Sequence, residues 1–160
     1  MSSLSAKVQK VLKPKPGINV IITVGNPLRS DDGVGPYIAE KLTSSERTVI
    51  IDAGYNPENI IDKIIKLKPS KIVIIDAADF KGKVGEVRLI DKDAISEITL
   101  STHTIPLGVI AHILSKDTRA EINFLGIQPK SVAIGGGMCS RVKKAAHIII
   151  RNIEEGTRNA

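Results

Sequence analysis

Aspartates follow three short apolar runs of the sequence and are the residues best suited to chemistry. The first run leads into a loop that contains Asp31 and Asp32, the second is followed by Asp52 and the third by Asp76. A single aspartate after a strand commonly caps the next helix or closes a turn. Carboxylates gathered in one place repel each other and raise one another's pKa unless a cation joins them. The set therefore indicates an oxygen-rich cation site or acid–base chemistry.

His103 is the histidine best suited to join these acids. It lies in the polar loop Ser101–Pro106, just before a helix predicted over Pro106–Leu114. His112 and His147 each lie about 140° from the apolar stripe of a predicted helix, so both are expected at the surface. One imidazole with two carboxylates suits nickel, zinc or iron(II).

Other catalytic patterns are missing from the sequence. There is no GxSxG nucleophile elbow and no HExxH zinc motif, and Cys139 has no neighbouring histidine. The loop that begins at Gly25 lacks the second glycine of a dinucleotide fingerprint, and Asp31 and Asp32 would repel a pyrophosphate there. The run Gly135–Gly137 is typical of a tight turn before a helix.

Strand and helix patterns alternate along the chain and predict an α/β fold. Short, fully apolar strands between helices indicate a three-layer sandwich, with a mostly parallel central sheet of about five strands and helices on both faces. Ligands of such sheets bind beyond the carboxyl ends of the strands, where the aspartates are expected. Strands are predicted at Ile18–Val24, Thr48–Ile51, Lys71–Ile75, Val84–Ile90 (an edge strand) and Glu121–Ile127, and helices at Val34–Leu42, Pro57–Leu67, Pro106–Leu114 and Cys139–Glu155.

Length and composition limit the classes of protein. The 160 residues suit one α/β domain over residues 18–160, preceded by an N-terminal extension, residues 1–17, with a short amphipathic helix. The single cysteine excludes an internal disulfide and favours a reducing, cytoplasmic setting. No run reaches the roughly 18 apolar residues of a membrane span. A scattered net charge of +6 and only four Tyr and Phe residues give no indication of nucleic-acid binding.

Five segments of the sequence form an ordered set of motifs. They are GNPLRSDDGVGPYIAEKL (Gly25–Leu42), IDAGYNPEN (Ile51–Asn59), IVIIDAADFKGKVGEV (Ile72–Val87), STHTIPLGVIAHIL (Ser101–Leu114) and NFLGIQP (Asn123–Pro129). In this order they resemble the motifs of the [NiFe]-hydrogenase maturation endopeptidases, and the likeness runs from about Asn19 to the last predicted helix. The last of them, NFLGIQP, is similar to the subgroup that serves formate-hydrogenlyase-type hydrogenases, called HycI.

The resemblance implies a narrow activity and a set of site residues. Members of the family remove a short C-terminal extension from the large-subunit precursor of a hydrogenase after nickel insertion. The metal-contacting positions fall on Asp32, Asp76 and His103, and a further acid used in recognition or catalysis falls on Asp52. Asp32, Asp52 and Asp76 are thus the candidate catalytic residues. The enzyme is expected to act as a cytoplasmic monomer.

Two carboxylates and one histidine make a poor permanent cage for a metal ion, and the resemblance implies that nickel arrives with the substrate. Two mechanisms stay open at this point. Nickel can polarise the scissile carbonyl or a bound water. Alternatively, nickel anchors the substrate and a carboxylate, Asp52 or Asp32, acts as general base.

Two other classes of function remain. One is a binding module of the same fold that checks nickel insertion without cleaving. The other is an α/β enzyme that uses Mg²⁺ with a phosphorylated small molecule, although no P-loop supports it.

Overall fold

The structure is a computed structural model that describes residues 3–98 and 106–160. Its strands are β1 (Asn19–Val24), β2 (Thr48–Gly54), β3 (Lys71–Ala77), β4 (Val87–Ile90) and β5 (Glu121–Ile127). Its α-helices are α1 (Ala6–Leu12), α2 (Val34–Lys41), α3 (Ile61–Leu67), α4 (Ile95–Ile98), α5 (Leu107–Asp117) and α6 (Ser140–Arg158). Short 3-10 helices cover Ser30–Gly33, Pro57–Ile60 and Lys92–Ala94.

The strands form a five-stranded sheet in the order β2-β1-β3-β5-β4. β1, β2, β3 and β5 are parallel, and β4 pairs antiparallel with β5 at one edge. The predicted α/β sandwich with a mostly parallel sheet is therefore confirmed. β4 is shorter than the predicted Val84–Ile90, because the amide of Glu86 donates to the carbonyl of Lys83 in a turn and Gly85 has a φ of 85°.

Helices cover both faces of the sheet. One face, here called the α6 face, carries α1, α2 and α6 over a core that includes Ile21, Val73 and Ile75. The opposite face, here called the α5 face, carries α3, α4 and α5 over a core that includes Ile22 and Ile74. Because successive strand residues point to opposite faces, the sequence position of a strand residue decides which layer its side chain meets.

Two of the aspartates lie inside strands rather than after them. Asp52 pairs with Thr23 in the β1–β2 ladder, and Asp76 pairs with Gly126 in the β3–β5 ladder. The sequence prediction ended both strands before the acids, since carboxylates are uncommon in buried strands. The ladder hydrogen bonds continue each strand through its aspartate. The alternation of the strand therefore decides on which face of the sheet that aspartate side chain lies.

The helix boundaries also differ from the prediction. The predicted helix Pro57–Leu67 is a 3-10 helix followed by α3, and a 3-10 helix precedes α2. α4 was not predicted, since a helix of four residues is too short to show a periodic pattern. The predicted Cys139–Glu155 helix begins at Ser140 and continues to Arg158.

The N-terminal helix α1 packs on the α6 face. Its first turn is capped by the Ser5 hydroxyl, which accepts from the amide of Val8 at 3.3 Å. At its C-terminal end the buried ammonium of Lys71 donates to the carbonyl of Lys13 at 2.7 Å. Its apolar side is buried in the core of that face. Within residues 3–98 and 106–160, no helix is both long and apolar enough to cross a membrane.

Candidate active site

Asp31 and Asp32 are neighbours in the turn after β1 but have different surroundings. Asp31 is almost fully buried and accepts from the amides of Lys130 at 2.7 Å, Ser131 at 3.3 Å and Cys139 at 2.8 Å. The thiol of Cys139 also donates to it, at 3.4 Å. Asp31 thus fastens the loop before α6 to the loop after β1, which is a structural role.

Asp32 is held at the carboxyl edge of the sheet. Its Oδ2 accepts from the amide of Asn26 at 2.9 Å, and the residue is 3% exposed. The 3-10 helix that carries it packs against β3, the strand of Asp76. Ser30 begins this helix with a φ of 51°, and its hydroxyl donates to the carbonyls of Ala133 and Gly135. A positive φ is strained at a serine, so this conformation persists only where surrounding contacts hold it.

Asp76 is fully buried near the end of β3. It shares the alternation of Ile72 and Ile74, so its side chain lies on the α5 face. Its Oδ1 accepts from the amide of Ala77 at 2.8 Å. A carboxylate at such depth is stable only when it is hydrogen-bonded or joined to a cation.

Asp52 lies on the other side of the sheet and is exposed. It shares the alternation of Ile50, which lies on the α6 face. Its Oδ1 accepts from the hydroxyl of Thr23 at 3.1 Å and from the amide of Gly54 at 3.0 Å. In the described ranges, Oδ2 has no hydrogen-bond partner. Asp52 is therefore oriented by one oxygen and open to solvent, the arrangement that a general base needs.

The strand order sets the separation of these acids. β2 and β3 flank β1, so Asp52 and Asp76 are two strand spacings apart, about 10 Å, and face opposite sides. One ion cannot bind both directly, since bonds to its ligands are only about 2 Å long.

His103 lies outside the described residues, so its predicted place beside the acids stays a prediction. On one side of the gap, the carbonyl of Ile98 accepts from the amide of Asp79, just after β3, at 2.8 Å. On the other side, Pro106 precedes α5, which runs back to the start of β5. α5 therefore begins at the carboxyl edge of the sheet, on the face that holds Asp76. In the described part of the chain, no three His, Cys, Asp or Glu residues form a metal-binding group.

The other two histidines lie at the surface, as predicted. His112 is exposed on α5. His147 is exposed on α6, and its Nε2 is 2.6 Å from the hydroxyl of Tyr37, with the two rings 5.7 Å apart.

Sequence reasoning missed Gln128, which organises the loop after β3. This buried side chain accepts from the amides of Phe80 at 3.0 Å and Gly82 at 3.1 Å. It also donates to Asp79 at 3.1 Å, and together with Lys81 it lowers the pKa of that carboxyl. A polar residue at the end of the apolar run Glu121–Ile127 was the available signal.

Glu58 was missed as well. It follows Asp52 by six residues, and its Oε2 is shielded from solvent with no hydrogen-bond partner among the described residues. The 3-10 helix that carries it packs against α5.

A groove of about 740 Å³ opens beside Asp52. Its floor is Ile50 of β2, and one wall is formed by α2, including Tyr37 and Ala39. Met138 and Lys143 complete it near the carboxyl edge. No local sequence pattern predicts this groove, because the groove depends on β2 being an edge strand.

Comparison with known proteins identifies the family. The family model described as hydrogenase maturation protease, HycI, matches residues 34–156. The chain is 38% identical over 139 residues to the hydrogenase 3 maturation protease of Escherichia coli strain K12, covering 85% of this chain and 88% of that protein. The chain therefore belongs to the hydrogenase maturation protease family.

Solved structures agree with this assignment. The crystal structure of the [NiFe] hydrogenase maturation protease HycI from Thermococcus kodakarensis is similar with a TM-score of 0.85 and 29% identity, covering 96% of this chain and 100% of that one. The solution structure of the endopeptidase HycI from Escherichia coli gives 0.78 and 37%, covering 86% and 90%.

Proposed function

We propose that the protein is an endopeptidase that removes the C-terminal extension of a [NiFe]-hydrogenase large-subunit precursor after nickel insertion. Its relatives are named as hydrogenase maturation proteases, which supports a peptidase acting in this process. The observation that carries the proposal is the difference in burial among the three acids at one edge of the sheet. Asp32 and Asp76 are buried, whereas Asp52 is exposed and oriented.

Asp32, Asp76 and His103 recognise the nickel that the substrate carries. The two carboxylates lie in elements that pack against each other, and α5, which follows His103, covers the face of Asp76. Three such donors leave coordination positions open for ligands from the substrate. A precursor without nickel would not present the ion that these donors bind, so its binding is weaker.

Asp52 acts as the general base for hydrolysis. Its free Oδ2 takes a proton from water as the water oxygen attacks the scissile carbonyl, and the proton then passes to the leaving amine. The hydroxyl of Thr23 and the amide of Gly54 keep the carboxylate oriented throughout. The strands that carry Asp52 and Asp76 are about 10 Å apart, so several extended residues of the substrate separate the anchored nickel from the cleaved bond.

Asp52→Asn tests this division of roles. Asparagine retains an oxygen that can accept from Thr23 and Gly54 but cannot take a proton. The purified wild type and Asp52→Asn are each incubated with a nickel-loaded precursor. Loss of the extension is followed by mass and complex formation by size-exclusion chromatography. We expect the wild type to cleave and the variant to bind without cleaving. Binding without cleavage by the wild type itself would show a non-cleaving checkpoint module instead.

A further inference from the structure

The outer edge of β2 is blocked along its first half. β2 is an edge strand with β1 as its sheet neighbour. The amide of Thr48 donates to the hydroxyl of Ser45 at 3.1 Å, and the amide of Ile50 donates to the hydroxyl of Ser44 at 2.9 Å. These two serines take the donors that a further strand would use there.

The second half of the same edge is open. Backbone groups of alternate residues point to the same edge of a strand, so Asp52 follows Thr48 and Ile50 in the outward series. Within residues 3–98 and 106–160, its amide and carbonyl have no backbone partner on this side. An open N–H and C=O at the end of an edge strand can bind the main chain of an extended peptide.

The groove beside this edge can receive the side chains of such a peptide. It lies on the α6 face, with Ile50 on its floor and Ala39 and Leu42 along it. Its volume of about 740 Å³ is in the range of ligand pockets, roughly 300–1,000 Å³. Its charged lining residues are two acids, Glu40 and Asp52, and one base, Lys143.

We propose that the C-terminal extension of the substrate binds as a short added strand on the open edge at Asp52, with alternate side chains in this groove. The inference rests on the proposed function, in which nickel is held near Asp76 and the bond is cleaved at Asp52. The C-terminal segment of the substrate then runs from the nickel near β3, across the end of β1, to the cleaved bond at β2. The extension follows that bond, so it lies at the outer edge of β2.

Proline substitution along the extension tests the backbone contacts with the wild-type enzyme. Proline has no N–H, and an added strand tolerates it only where the N–H points away from its neighbour. Precursors with one proline at each successive position after the cleaved bond are compared by KM and kcat. The open carbonyl of Asp52 can accept from only one N–H of the extension, so we expect a proline at that one position to raise KM at least tenfold and prolines at its neighbours to raise it less than twofold. A similar KM at every position would overturn the inference.

Ala39→Arg tests the groove. Ala39 is half-buried in the groove wall, so an arginine there would fill the space that side chains of the extension occupy. We expect KM for the precursor to rise about tenfold, with kcat within twofold and an unchanged melting curve. The matched control is Ala6→Arg, at an exposed position of α1, which should leave both constants unchanged.

The outcomes separate the inference from the proposed function. If the wild type cleaves the precursor while Ala39→Arg keeps the wild-type KM and the proline profile is flat, the inference is wrong and the proposed function stands. If the wild type does not cleave the precursor, the proposed function is wrong. A wild-type dimer that Ala39→Arg converts to a monomer would also overturn the inference, because a second copy would then occupy the edge.

Discussion

The backbone carbonyl of Asp32 occupies the space that a side chain on Gly25 would need. A Cβ at Gly25 would lie 2.0 Å from that oxygen, and Gly25 has a φ of 147°. Gly25 is thus required for the turn that brings Asp32 back over the end of β1. The neighbouring amide of Asn26 then donates to the Asp32 carboxylate.

Gly25→Ala should therefore displace Asp32 and reduce processing at least tenfold. The added methyl group meets backbone, which cannot rotate away as a side chain can. Processing of a nickel-loaded precursor and thermal melting are measured together. The control is Gly137→Ala, which also has a positive φ, of 67°, but has no atom within 4 Å of the added Cβ. The control should lose some stability and keep activity; equal activity losses in both variants would contradict the account.

Asp76→Asn should give a folded but inactive protein. The asparagine oxygen can still accept from the amide of Ala77, so the melting temperature should be unchanged or slightly higher. Processing should fall by orders of magnitude, because a neutral amide is a poor ligand for a divalent cation. Melting and processing are measured on the same sample. An unfolded variant would show that Asp76 is structural, and normal cleavage would show that the proposed site is wrong.

Asp31→Asn should lower stability and leave cleavage intact, which is the reverse of the effect expected for Asp76→Asn. Both oxygens of Asp31 accept from backbone amides, and an asparagine would turn an NH₂ group towards one set of these donors. We expect a loss of about 1–3 kcal/mol in the free energy of unfolding. Urea denaturation measures it, and the folded fraction should still cleave. A variant of wild-type stability would contradict the structural role of Asp31.

The sequence could predict the strands but not the division between Asp31 and Asp32. Continuous β-branched runs specify the buried strands β1 and β3, and a shorter apolar run specifies β5, which is why all three agree with the prediction to within a few residues. Asp31 and Asp32 have the same local sequence, and the groups that bind Asp31 lie 99 to 108 residues away along the chain. The position of β2 at the sheet edge, which creates the groove beside Asp52, likewise depends on strand order rather than on any local pattern.

His103→Ala should abolish processing without unfolding the protein, since it removes a proposed nickel ligand. His112→Ala and His147→Ala are the matched controls, because both residues are exposed on helices. Each control should stay within about 0.5 kcal/mol of the wild-type unfolding free energy and remain active. Processing is measured by the mass of the precursor. Full activity of His103→Ala would show that His103 is not part of the site.

Lys71 should make stability rise with pH in the alkaline range. Burial lowers its pKa in the folded protein below the ordinary value of 10.5, an effect that Glu121 opposes and Lys15 reinforces. Between the folded pKa and 10.5 the unfolded chain binds more protons, so the free energy of unfolding increases as pH rises through this window. Lys71→Met should lack this increase. Urea denaturation at neutral pH and near pH 10.5 compares the two proteins, and equal slopes would contradict the prediction.

Cleavage of the precursor is proposed to depend on nickel, and a paired measurement on a single precursor shows whether it does. The purified protein is incubated with the same large-subunit precursor in nickel-loaded and nickel-free form, and the mass of the large subunit is followed over time. Because Asp32, Asp76 and His103 are proposed to bind the nickel of the substrate, we predict loss of the C-terminal extension from the nickel-loaded precursor alone. Equally rapid cleavage of the nickel-free precursor would contradict the account.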